Sequence, residues 1–156
     1  MRRDLIRGLL AGVAGTAAMT ATMRLERALR PNAELPVDYD ATDHVVIAAA
    51  AVLRYEPRTE RGRQALFLLV HWGYGSAVAV GYRTLRRIGC DRRYSAAVFA
   101  VSCQAMAFGL FPTLGATPPP WRWRAGVLVS SLAQHAVYSL VVAGVDDLTG
   151  AAARTA

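Results

Sequence analysis

The sequence contains no lysine and only two cysteines among its 156 residues. Without lysine, all 18 basic residues are arginines, and the net charge of +7 rests on planar guanidinium groups that never lose their proton. Cys90 and Cys103 form no CxxC pair and no framework, which excludes a zinc ribbon and a disulfide scaffold. No carboxylate lies inside the four longest apolar stretches, so paired acid–base chemistry has no residues there. GxSxG, HExxH, Walker and GxGxxG motifs are all missing, and no two of the three histidines share a helix turn as zinc would need. Ser76, Ser102, Ser130, Ser131 and Ser139 read as packing residues of apolar helices. The expectation is a protein that is not an enzyme and has no metal and no cofactor.

Hydrophobic residues make up 54% of the chain and charged residues 19%, with the charges gathered between the apolar runs. That is a membrane pattern, and the length is one domain's worth. A nucleic-acid binder carries its arginines on a folded soluble face; here they flank apolar segments, where they meet lipid phosphates. The expected partner is the lipid bilayer, with a homo-oligomer or another membrane protein second, and not nucleic acid.

The central stretch is Ala65 to Tyr82, ALFLLVHWGYGSAVAVGY, which holds a single histidine and no formal charge. As a helix rising about 1.5 Å per residue it matches a hydrocarbon core of about 30 Å. With it, the pattern predicts an all-α, four-span single domain, with spans at about 5–23, 65–82, 94–116 and 125–145. The first extends to Leu5 if Arg7 snorkels. Its Gly8-x-x-x-Gly12 pair and Gly15 offer a small surface for close helix approach, and Gly73 and Gly81 offer the same on the second span. A cleaved secretory leader ending near Ala21 is the competing account of the first segment. The polar loop 24–64 carries seven arginines and seven acids. It holds one short helix, HVVIAAAAVLRY, capped by Thr42-Asp43, ending before Pro57 and too short to span, hence interfacial, re-entrant or docked. Pro112 is expected to kink or end the third span, and the prolines at 118–120 to favour an extended junction with interfacial tryptophans. The loop RTLRRIGCDRR, 83–93, has five arginines in eleven residues. A short loop so basic stays cytoplasmic, which places both termini inside.

Ionisable groups within a span need a partner or a wet cavity. His71-x-x-Tyr74 in the second span and His135-x-x-Tyr138 in the fourth each place both side chains on one helix face. Together with Gln104 in the third span, they form a candidate intramembrane polar site of His71, Tyr74, Gln104, His135 and Tyr138. The alternatives are hydrogen bonding that joins helices, a proton-linked or small-solute carrier, and bis-histidine haem ligation for electron transfer. The match between the two motifs also raises a parallel repeat of two helical hairpins.

The segments HWGYGSAVAVGY at 71–82, FGLFPTLGATPP at 108–119 and AQHAVYS at 133–139 together resemble the YagU-like family of uncharacterised bacterial inner-membrane proteins. The Pro112-x-x-Gly115-x-Thr117-Pro118-Pro119 junction is the most specific element. The resemblance covers about residues 65–140 and implies an inner-membrane location and a multi-pass topology. It carries over no functional residue. The expected function is that of a non-enzymatic integral membrane component.

Overall fold

The computed structural model describes residues 2–29, 41–115 and 118–155, and helix is the only regular structure among them. Helices α1 (Arg2–Leu29), α3 (Glu60–Arg87) and α6 (Ala125–Thr155) are continuous. The third membrane-length segment is composite: α4 (Arg92–Ala105), a wide π-helical turn (Met106–Leu110) and α5 (Phe111–Gly115). These four segments are long and apolar enough to cross a membrane. Buried residues make up only 28, 17, 18 and 17% of their most apolar windows, so most of the apolar surface faces outward. Leu69, Val101 and Leu140, on three of the four segments, each stand 68% exposed, where a soluble bundle would place polar side chains.

Local chemistry sets the helix ends. Thr59 caps α3 by accepting from the Gly62 amide at 3.1 Å. At its other end Gly89 takes φ +92°, a left-handed conformation that glycine adopts at no steric cost, and the Cys90 amide bonds back to the Leu85 carbonyl at 3.2 Å. Asp91 then caps α4, accepting from the amides of Arg93 and Tyr94 at 2.8 and 3.0 Å. The α3–α4 turn is therefore tight, and the two helices are antiparallel neighbours.

α1 lies against α3 and α6, while α4 packs on α6 and α3. The core draws on all four segments: Ala11, Ala79, Tyr82, Phe99, Cys103, Tyr138, Val142 and Ala143. Phe99 stands at its centre, with ring centroids 5.6 Å from Tyr82 and 5.7 Å from Tyr138.

The small residues of α1 determine how closely it sits. A Cβ at Gly12 would lie 2.6 Å from both Cα and O of Ser76, and one at Gly15 would lie 2.7–2.9 Å from Val142 and Tyr138. Gly8 has Val80 backbone at 3.1 Å. Gly73 and Gly81 correct the expectation that they too serve packing, since a Cβ at either meets nothing within 4 Å. The glycine of α3 that does is Gly75, where a Cβ would meet Thr16 Oγ1.

The short loop helix is α2 (Ala41–Leu53), starting just before the expected Thr42-Asp43 cap; the side chains of 41–44, His44 included, lie outside the described residues. α2 docks on α3 and α5, with Val46 and Ala49 against Leu66. Arg54 closes it at φ +50°.

Pro112 does not end the third segment, because the preceding turn widens into π geometry. The wider turn relieves the clash between the proline ring and the carbonyl four residues back. Thr113 Oγ1 donates to the Gly109 carbonyl at 2.6 Å. The proline junction is partly extended, as expected, at Pro119 (φ −70°, ψ 157°), but Pro120–Arg122 turns into a short 3-10 helix. Trp123 packs edge-on against Phe108 and donates to the Pro118 carbonyl at 2.7 Å, whereas Trp121 stays exposed.

Candidate functional site

Each member of the expected polar site finds its own partner. His71 Nε2 lies 3.0 Å from Thr20 Oγ1, and that hydroxyl already donates its one hydrogen to the Thr16 carbonyl at 2.8 Å. The hydrogen-bond network therefore assigns the proton to His71 Nε2, which donates to Thr20 and ties α3 to α1. The His71 ring also stacks on Phe67, centroid to centroid at 5.1 Å. His135 Nδ1 lies 2.8 Å from the carbonyl of Ser131, one turn back in its own helix. A carbonyl can only accept, so Nδ1 carries the hydrogen.

Tyr138, 4% exposed, donates its hydroxyl to the Gly75 carbonyl and so bolts α6 to α3. Tyr74 instead donates to Met106 Sδ at 3.0 Å, at the first residue of the π-helical turn. Gln104 Nε2 donates to Ser131 Oγ at 3.1 Å, joining α4 to α6. His135 and Gln104 thus converge on Ser131, through its carbonyl and its hydroxyl respectively. Among the described residues no hydrogen bond or ring contact connects His71 with His135, and the hydrogen bonds of the two rings go to Thr20 and Ser131 rather than to a tyrosine or glutamine. The two His-x-x-Tyr motifs also differ in environment, which removes the contact basis for a repeat: Tyr138 is buried between helices and Tyr74 is 36% exposed.

A second constellation, not singled out from the sequence, closes one end of the bundle. Asp146 on α6 is 3% exposed, and its Oδ2 accepts from Arg83 Nη1 at 3.3 Å. Arg83 also donates Nε and Nη2 to Asp4 Oδ1, at 3.1 and 2.9 Å. Arg7 does not snorkel outward. It donates Nη2 to the Asp146 backbone carbonyl at 2.9 Å and Nε to Thr149 Oγ1 at 3.2 Å, with the Asp146 carboxylate 3.7 Å away. Arg92 on α4 pairs with Asp147. Four helices thus meet through charge at one end. The hydrogen bond from Arg83 holds the Asp4 carboxyl below its usual pKa. At the other end of α1, Glu26 accepts from Ser130 and Gln134 of α6. The available sequence signal was a lone arginine near the start of one apolar run and aspartates closing another.

No group of three or more metal-ligating side chains occurs among the described residues. The class these features define is an all-helical bundle with four segments long and apolar enough to cross a membrane. No family model, curated protein or solved structure matches the chain.

Proposed function

We propose that the protein is a non-enzymatic, multi-pass component of the bacterial inner membrane, with both termini and the 83–93 loop in the cytoplasm. The observation that supports this most directly is the use made of the polar groups within the spans. Tyr138 to Gly75, His71 to Thr20 and Gln104 to Ser131 each join two helices. Such bonds are what an apolar solvent favours, since polar groups find no water there. The resemblance to the YagU-like family agrees with the location and adds no activity. The outward apolar faces suit lipid, or a second membrane protein laid against them.

The test begins with membrane fractionation and alkaline extraction, after which the chain should remain in the pellet. Cys90, partly exposed in the α3–α4 turn, then reports topology. An impermeant maleimide should label it in inside-out vesicles and fail in intact cells. Labelling from outside would reverse the topology, and a soluble chain would overturn the proposal.

A further inference from the structure

Residues 45–53 of α2, VVIAAAAVL, carry no polar side chain. A helix that docks by one face on a soluble bundle turns polar residues outward. α2 has such a docked face, with Val46 and Ala49 packed on Leu66 beside Phe67 and Val70. Its other side is equally apolar: Val52 stands 59% and Leu53 55% exposed, and Ala51 beside them is exposed as well. With 13 residues, at about 1.5 Å each, α2 is too short to cross a hydrocarbon core of about 30 Å. It is apolar all round and yet no span.

The surroundings of α2 identify what covers that outer side. Both elements beneath it belong to membrane-length segments: Leu66, Phe67 and Val70 open the apolar run of α3, and α5 closes the third segment. On those same stretches Leu68 and Leu69 of α3 and Leu114 of α5 are exposed, and so is Leu110 just before α5. α2 is therefore flanked by two outward apolar surfaces, and the medium that covers them covers it too. Polar residues resume only past Leu53, where Arg54, Tyr55, Glu56 and Arg58 are all exposed. Arginine and tyrosine at the end of an apolar helix are the composition of a membrane interface.

We infer that α2 lies within the hydrocarbon layer as a fifth membrane-embedded helix, its outer face covered by phospholipid acyl chains. Arg54 and Tyr55 then stand at headgroup level, where the chain turns into α3. Over this stretch the 24–64 loop belongs to the membrane domain and is no aqueous excursion from it. The inference rests on the membrane proposal above and goes beyond it, since α2 is not one of the four spans.

The experiment places a nitroxide on single cysteines of the full chain, reconstituted in vesicles of phosphatidylethanolamine and phosphatidylglycerol. Cys90→Ser removes the accessible native thiol, and Cys103 stays buried in the core. Collision with oxygen reports the acyl layer, and collision with a soluble nickel chelate reports water. Val52→Cys should favour oxygen over the chelate as strongly as Leu69→Cys on α3, and Arg61→Cys should reverse the ratio. Leu53→Cys should repeat the result, and it serves as the probe should Val52→Cys fail to fold. Chelate preference at Val52 with oxygen preference at Leu69 would overturn the inference and leave the membrane proposal standing. Chelate preference at both sites would overturn both. Low collision with either reagent at Val52 would mean that protein covers α2 in place of lipid, and would also overturn the inference. Dipolar broadening that vanishes on dilution with unlabelled chain would then identify that protein as a second copy.

Discussion

Arg83 grips Asp4 through two nitrogens, Nε at 3.1 Å and Nη2 at 2.9 Å from the same oxygen, across 79 positions of sequence. The third nitrogen, Nη1, reaches Asp146 at 3.3 Å. One guanidinium therefore holds the start of α1 and the last third of α6 to the end of α3, and Arg7 holds Asp146 from the other side.

Removing Asp146 should be the most damaging change at this end. Asp146→Ala leaves Arg7 and Arg83 partly buried and robbed of a shared carboxylate, a situation that typically costs about 3–5 kcal/mol. Asp147→Ala, whose partner Arg92 is 61% exposed, should cost far less. Unfolding in mixed detergent and denaturing surfactant ranks the two; equal losses would show that the burial of Asp146 confers no special weight.

The Asp4 pair predicts an acid limb. The hydrogen bond to Arg83 lowers the folded-state pKa of Asp4 below its unfolded value. Its contribution is fully present above the ordinary carboxylate value of about 3.9 and is lost as pH falls through the folded pKa. Melting temperature followed from pH 6 downward should therefore decline less steeply in Asp4→Asn than in wild type. Parallel curves would remove Asp4 from the acid response.

Glycine substitutions should separate sharply. Gly12→Ala places a methyl 2.6 Å from Ser76 backbone, which cannot give way as a side-chain tip can. A loss of about 1–3 kcal/mol is expected for such overpacking. Gly73→Ala meets open space and lies within a helix, so it should be neutral or slightly stabilising. Melting of both variants in one detergent decides the matter.

Among the tyrosines, Tyr138→Phe removes the hydrogen bond to the Gly75 carbonyl, and Tyr74→Phe removes only a contact with a thioether sulfur. Interhelical hydrogen bonds in membrane bundles average about 0.6 kcal/mol. Tyr138→Phe should show a loss of that order and Tyr74→Phe none that can be resolved.

Sequence patterning carried the coarse architecture because helices of this kind are written locally. Apolar runs of membrane length, the short docked helix before Pro57 and the small face Gly8-Gly12-Gly15 depend on near neighbours in the chain. What escaped depends on remote ones. Arg7 and Asp146 sit at opposite ends of the sequence, and nothing in either stretch names its partner. The same holds for His71, whose motif pointed to tyrosines while its ring found Thr20 of another helix. Gly73 and Gly75 look interchangeable in HWGYGS, yet only Gly75 sits against Thr16. Helix phase decides between them, and two positions along a helix differ by more than half a turn.

The position of Asp146 in the chain has a bearing on how the bundle is built. Synthesis delivers Asp4, Arg7 and Arg83 early, and during that interval two guanidinium groups have one carboxylate between them. When α6 emerges, it brings the second carboxylate together with the Tyr138 bolt. Neutralising the charged end and closing the bundle thus become a single late event in biogenesis. A chain that lacks α6 has three segments and one uncompensated cation in that cluster.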